Sequence, residues 1–291
     1  YFDFPGNLEI EKGINYEVYF QVFDNDEVNS YKKSSSKKFN FRNKTDKEIE
    51  EESVLEQRNQ IQSLEKTLQK KQHQKQALEE IKQNLQNKKN IRWNDKKNIE
   101  KYIKRQEQYK QMMQRQTEKL QESIKDLPKD SKSIQQKKEA LKKRIEELKK
   151  LEKEQSLLEE LKKLAQKLNK NELLNKVKKL TEQNKQQERS LERVLELTKR
   201  FYIEQKALQI ANKLEELSKN QEMLSKQKTS NIQKQDSVKN EFSKIQKELK
   251  DLQKDNKALK QPMQIPNTHQ EEKVVKEHLQ KEIQDIKDAG L

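Results

Sequence analysis

Residues 238–259 run Val238-Lys-Asn-Glu-Phe242-Ser-Lys-Ile245-Gln-Lys-Glu-Leu249-Lys-Asp-Leu252-Gln-Lys-Asp-Asn256-Lys-Ala-Leu259. Apolar side chains recur four and three apart, and everything between them is polar or charged. That period places Val238, Phe242, Ile245, Leu249, Leu252 and Leu259 on one narrow face of a helix, as in a coiled-coil seam. Asn256 falls on the same face. A buried Asn there fixes register; the plain alternative is an exposed residue near a fraying end.

The same grammar spreads outward. Thr45 and Glu48 have the spacing of a capping box and open a first helix. It carries Val54, Ile61, Leu64, Leu68, Leu78 and Leu85, with Lys71 and Lys75 interrupting the stripe. After a break at Asn87–Asn94, a second helix carries Ile99, Ile103, Gln106, Met113, Leu120, Ile124 and Leu127, and Pro128 stops it. A third is expected from about Ser133 to Leu168. Its steps of three, from Leu148 to Leu151 and from Leu158 through Leu161 to Leu164, suit a short antiparallel bundle better than one rod. A short helix through Leu173, Leu174, Val177 and Leu180 and a separate one from Leu191 to Leu224 come next. A soft break near Thr229–Ser230 precedes the stretch quoted above. Residues 261–267, with Pro262 and Pro266, form a linker. Thr268 and Glu271 open a last helix through Leu279, Ile283 and Ile286.

Before residue 43 the pattern differs. Tyr16-Glu-Val18-Tyr-Phe20-Gln-Val22-Phe23 alternates with period two, Asp24–Asn29 reads as a turn, and Lys37–Phe41 reads as the returning strand. Leu8–Ile10 is a candidate third strand. Ten of the 16 aromatic residues lie before residue 42, and two of the three glycines, Gly6 and Gly13. Two or three strands do not make a sandwich. They read as the closing strands of an Ig-like domain whose beginning is missing, and the helical pattern still running at Leu291 marks that end as cut as well.

The expected fold is therefore mainly α: elongated antiparallel helical hairpins or coiled coil, preceded by two or three β-strands of a truncated Ig-like domain. The expected divisions are 1–43 (β strands), 45–127 (a helical hairpin), 131–260 (a bundle or coiled coil), 261–267 (the linker) and 268–289 (the start of a further helix).

Composition narrows function. Of 291 residues, 40% are charged, 29% are hydrophobic and none is cysteine. Leu, Ile, Val and Phe make up 23% of the chain. One large α/β or all-β core needs far more apolar surface. Three glycines exclude most phosphate-cradling loops. The absence of cysteine excludes disulfides and thiolate metal sites. No run approaches the ~18 apolar residues of a membrane span.

The candidates for chemistry are weak. His73, His269 and His278 are scattered and read as exposed helical residues. Glu146-Glu147 and Glu159-Glu160 lack the Glu-x-x-His motif of di-metal bundles. Ser34-Ser35-Ser36 reads as a hairpin loop with no histidine nearby in sequence. Asp24 and Asp26 could supply Ca²⁺ with carboxylates, but no third and fourth oxygen ligand is evident, and the preferred reading is that they form the turn itself. Trp93 is expected to staple the start of the second helix over Asn94 as its cap. The net charge of +15 lies wholly beyond residue 48 and is carried mainly by 56 lysines against 9 arginines. Those lysines are interleaved with acids and have no aromatic platform, so nucleic acid is an unfavoured partner. The expectation is a protein with no enzymatic activity, cofactor or metal, which self-associates or binds a protein partner through Phe242, Ile245, Leu249, Leu252 and Leu259. A basic coiled coil on nucleic acid, or an accessory subunit of an envelope enzyme complex, is the alternative.

The order of features also resembles a large family of membrane-anchored Bacteroidota-type proteins catalogued as a domain of unknown function. The motifs that carry it are Val22–Asn29, Trp93-Asn94-Asp95-Lys96-Lys97, Leu191–Leu197 and Pro266-Asn267. The resemblance covers nearly the whole chain. It implies an inner-membrane anchor upstream of Tyr1, a periplasmic Ig-like region and a long periplasmic helical region acting as a scaffold. Glu27 and Ser30 stand where the family often has glycine, which bears on the turn rather than on the strands. The family brings no catalytic residues.

Overall fold

The computed structural model describes residues 4–25, 32–125, 132–153, 156–167, 169–227 and 231–288. It is mainly helical, with four short strands followed by seven helices among the described residues. The strands are β1 (Tyr16–Val18), β2 (Gln21–Phe23), β3 (Lys33–Ser35) and β4 (Phe39–Phe41). The helices are α1 (Asp46–Asn87), α2 (Trp93–Lys125), α3 (Lys132–Lys153), α4 (Ser156–Lys167), α5 (Lys170–Ser225), α6 (Ile232–Lys257) and α7 (His269–Asp288). Two compact units divide the chain, Tyr1–Leu55 and Glu56–Leu291.

In the first unit β1 pairs antiparallel with β4, Tyr16 opposite Phe41, and β2 pairs with β3, Val22 opposite Ser34. The single strand expected over Tyr16–Phe23 is thus two. The ladder is interrupted at Phe20, whose N–H donates to Ser36 Oγ at 2.9 Å, while the Ser36 N–H donates back to the Phe20 carbonyl. Ser34 and Ser35, expected in a loop, are strand residues. Leu8–Ile10 is not a strand. Tyr16 and Val18 are half-buried, but Phe20 and Val22, expected on the same face, are exposed. A two-stranded ribbon has no second layer to cover them. Asp24 N–H donates to the Lys32 carbonyl; Asp26 to Asn29 lie outside the described residues.

Gly13 has a φ of 85°, and a Cβ there would come within 2.9 Å of Thr45 Cγ2. Its N–H donates to the Asn43 carbonyl, which ties the ribbon to the start of α1. That start is a capping box: Thr45 N–H donates to Glu48 Oε2 at 2.9 Å, and Glu48 N–H donates to Thr45 Oγ1 at 3.2 Å.

The second unit is a set of antiparallel neighbours. Thr67 Oγ1 donates to Gln116 Oε1, and Gln74 Nε2 to the Arg105 carbonyl, so α1 and α2 run in opposite directions. Glu65 pairs with Lys199 and Lys75 with Glu188, which sets α5 antiparallel to α1. On α5, Lys176 and Glu204 pair with Glu160 and Lys137, so α4 and α3 also run against it. Where α1, α2, α4 and α5 meet, Leu78, Leu85, Ile99, Ile103, Leu161 and Val177 belong to one buried cluster.

Beyond that bundle α5 continues. It is one helix of 56 residues, about 84 Å at 1.5 Å per residue. The separate helices expected around Leu173–Leu180 and Leu191–Leu224 are joined. No Pro or Gly lies between them, and Asn184 and Glu188 carry the buried face across the gap in place of apolar residues. The second half of α5 packs with α6, which packs with α7. Glu248 on α6 meets Lys206 and Lys213 of α5. Burial alone would raise its carboxyl, but the two lysines' hydrogen bonds and charges outweigh burial and hold it below its ordinary value. The helix expected over 133–168 is described as α3 and α4, with 154 and 155 outside the described residues. Leu127, Pro128, Leu168 and Thr229–Ser230 also lie outside them.

The α1 cap sets a pH dependence. The Glu48 carboxyl is lowered from 4.5 to about 2, first by the Thr45 backbone N–H and then by Arg42, which donates at 2.8 Å. A depressed carboxyl contributes stability that is complete above its unfolded value and is lost as pH falls through its folded value. Carboxyl-carbon NMR should find a Glu48 midpoint near 2, and Arg42→Gln should move it upward. A midpoint at the ordinary value of 4.5 would contradict the cap.

Candidate functional site

Three stripes carry a polar interruption, and the fold brings the three together. In α1 it is Lys71, with 1% of its surface exposed, followed by Lys75. In α2 it is Tyr102, Gln106 and Tyr109, all buried. In α5 it is Asn184 and Glu188, also buried, with Gln187 beside them.

The geometry accounts for how each group is kept. Lys71 Nζ donates to Asn184 Oδ1 at 2.6 Å and to Gln187 Oε1 at 2.8 Å, and it lies 4.9 Å from the centroid of the Tyr109 ring. Asn184 uses its other end on Tyr102, with Nδ2 donating to the hydroxyl oxygen at 2.8 Å. Gln106 Nε2 donates to the same oxygen at 2.7 Å. Burial pushes the Tyr102 phenol well above its ordinary value, and the two hydrogen bonds offset this only in part, so it stays neutral. Lys75 extends the layer outward with an ion pair to Glu188 at 2.9 Å. A buried ammonium is tolerable only when dipoles or charges surround it, and here amide oxygens and an aromatic face do so.

The layer borders a cavity of about 330 Å³ in the groove between α1 and α2. Tyr102, Tyr109 and Met112 form apolar parts of its wall, and Lys70, His73 and Arg105 supply cationic or polar parts. A second cavity of about 170 Å³, where α1, α5 and the end of α6 meet, is lined by Arg58, Lys199, Tyr202 and Asp255 among others. Burial raises the Asp255 carboxyl against the pull of Arg58, and Asp251 adds to the rise.

The stripe expected to contact a partner lies on α6 and at its end. Phe242, Ile245, Leu252 and Leu259 are buried within this chain, and Leu249 is half-buried. Asn256 is buried too, but it holds neither a partner helix nor a frayed end. Its side chain donates to the Met263 carbonyl and accepts from the Met263 N–H, both at 2.8 Å, and so pins the linker.

The remaining candidates are dispersed. His73, His269 and His278 are exposed. Glu147 pairs with Arg144 and Glu160 with Lys176. Among the described residues no group of three or more His, Asp or Glu side chains could hold a metal ion. Trp93 is the first residue of α2 and is 67% exposed, with Lys97 over its ring. It staples nothing. The capping at that end comes from Asp95, which accepts from the Arg92 N–H and pairs with Lys88. Thr268 donates to Glu272 rather than Glu271. Among the described residues no helix is long and apolar enough to cross a membrane.

Not every buried polar group is so well placed. Gln57 is 2% exposed, and neither its amide nitrogen nor its oxygen has a hydrogen-bond partner among the described residues. The contrast yields an ordering for thermal or urea unfolding. Asn184→Leu should cost about 3 kcal/mol, because it strips an acceptor from a buried ammonium and a donor from Tyr102. Lys71→Met should cost less, about 1 kcal/mol, since the Asn184 and Gln187 amides that lose a partner are neutral. Gln57→Leu should stabilise by about 1 kcal/mol. Equal losses at Asn184 and Lys71, or a loss at Gln57, would contradict the geometry. Comparison of the chain with protein-family models, with curated proteins and with solved structures returns no match.

Proposed function

We propose that the protein is a non-enzymatic structural protein whose helical unit acts as a scaffold for protein–protein contacts. One observation carries the reading: a layer of buried polar groups is consumed in bonds that join α1, α2 and α5. Lys71 is bound to Asn184 and Gln187, and Tyr102 to Asn184 and Gln106. Groups used this way set the axial position of one helix against another, which is the best-attested use of buried polarity in helical assemblies.

The surface for a partner is then different from the α6 stripe. Engaging Phe242, Ile245 or Leu252 requires α6 to leave α5 and α7, an exchange between chains rather than a docking. Solvent already meets Val274 and Val275 on α7, which are 50% and 41% exposed. In the same reading the ribbon belongs to an Ig-like β domain of an envelope protein. Exposed Phe20, Val22, Phe23 and Phe39 support a missing β layer.

Crosslinking mass spectrometry on cells expressing the chain, with light scattering on the purified protein, tests the proposal. The expected result is reproducible crosslinks from α7 lysines such as Lys276 to another protein or a second copy. A monomer with crosslinks only within itself would refute the scaffold reading.

A further inference from the structure

The cavity between α1 and α2 has a composition that structural packing does not require. Its floor is aromatic and buried: Tyr102 is 3% exposed and Tyr109 8%. Its rim carries two cations, Lys70 and Arg105, with His73 beside them, and no Asp or Glu is among its lining residues. Several cations of this unit meet carboxylates, as Lys75 meets Glu188 and Lys199 meets Glu65. Here they do not. The hydrogen bond of the Lys70 ammonium is to the thioether of Met112, at 3.8 Å. The Arg105 guanidinium makes no hydrogen bond or ion pair among the described residues.

We infer that this cavity is a binding site for a small aromatic carboxylate, of about two fused rings. Each part of such a ligand answers a feature of the wall. A flat apolar body suits Tyr102, Tyr109 and Met112, since aromatic faces and edges and a polarisable sulfur all favour contact with a ring. A carboxylate suits Arg105, whose planar fork matches its two oxygens, with Lys70 adding a point charge. The volume of about 330 Å³ lies at the lower end of the range for small-molecule sites.

The floor is also set in advance. The Tyr102 hydroxyl accepts from Gln106 and Asn184, and the Tyr109 ring lies against the Lys71 ammonium. Neither ring has to be ordered when a ligand enters, which lowers the cost of binding. The polar layer would thus serve two ends, holding three helices in register and holding the cavity open between two of them. The inference is independent of the scaffold reading, because a scaffold needs no small ligand.

Isothermal titration of the full chain with 2-naphthoate, and with 2-naphthylmethanol as the uncharged control, tests it. Saturable one-to-one binding of the acid is expected, with the alcohol at least about tenfold weaker. Arg105→Gln, an exposed change, should weaken the acid by about tenfold and leave the alcohol unaffected. Met112→Trp fills the cavity and should abolish both, with helicity by circular dichroism confirming that the fold persists. Absence of saturable binding, equal affinity for acid and alcohol, or unchanged binding in Arg105→Gln would each overturn the inference.

Discussion

The Lys71 ammonium is buried among three helices, and it reaches Asn184 and Gln187 at only one axial setting of α1 against α5. An apolar stripe by itself does not choose that setting. Leucines and isoleucines at heptad spacing pack almost as well after a slip of one turn, about 5.4 Å. A slip of one turn toward the start of α5 would place the charged nitrogen against Leu180 and leave the Asn184 carboxamide without its partners. The penalty for an unmatched buried charge far exceeds what one apolar contact contributes. Tyr102 extends the same constraint to α2, because its hydroxyl oxygen accepts from both α2 and α5. One buried layer therefore aligns α1, α2 and α5.

α5 carries that alignment onward. It packs with α3, α4 and α6, and its side chains bond to α1, α2 and α7. The second bundle has a smaller polar layer of its own. Gln235 Nε2 donates to Gln221 Oε1 and to Glu282 Oε2, and Gln221 Nε2 donates to Glu282 Oε2 as well. Both layers place one α5 side chain between two other helices. Surface ion pairs such as Lys219–Glu215 and Lys226–Glu222 are numerous but exposed, and pairs of that kind contribute little. The many lysines therefore serve solubility more than alignment.

The sequence made some of this legible and hid the rest for a definite reason. The heptad of α6, the break between α1 and α2, the Thr45–Glu48 box and the linker after α6 all follow from local chemistry, and all are present. What failed was the reading of polar residues inside the stripes as breaks. Lys71 looked like an interruption in a stripe, and the gap between Leu180 and Leu191 looked like a break between helices. Each reads correctly only beside the other, since Lys71 makes Asn184 acceptable in the interior and Asn184 does the same for Lys71. The available signal was the matched placement of Lys71, Gln106 and Asn184, one polar residue within each of three apolar stripes. In the ribbon, alternation correctly marked strands, but the number of layers is a tertiary property, and exposed Phe20 and Val22 show its limit.

The central claim is that the buried layer, rather than the apolar stripes, fixes helix register. Spin labels at exposed Gln76 on α1 and Lys185 on α5 report the axial offset directly by electron–electron double resonance. The unsubstituted layer should give one narrow distance distribution. Replacing Lys71, Asn184 and Gln187 together by leucine should preserve helicity and raise or maintain stability, yet add a second population displaced by about one helical turn. A single unshifted distribution in the triple variant would show that apolar packing sets the register without the polar layer.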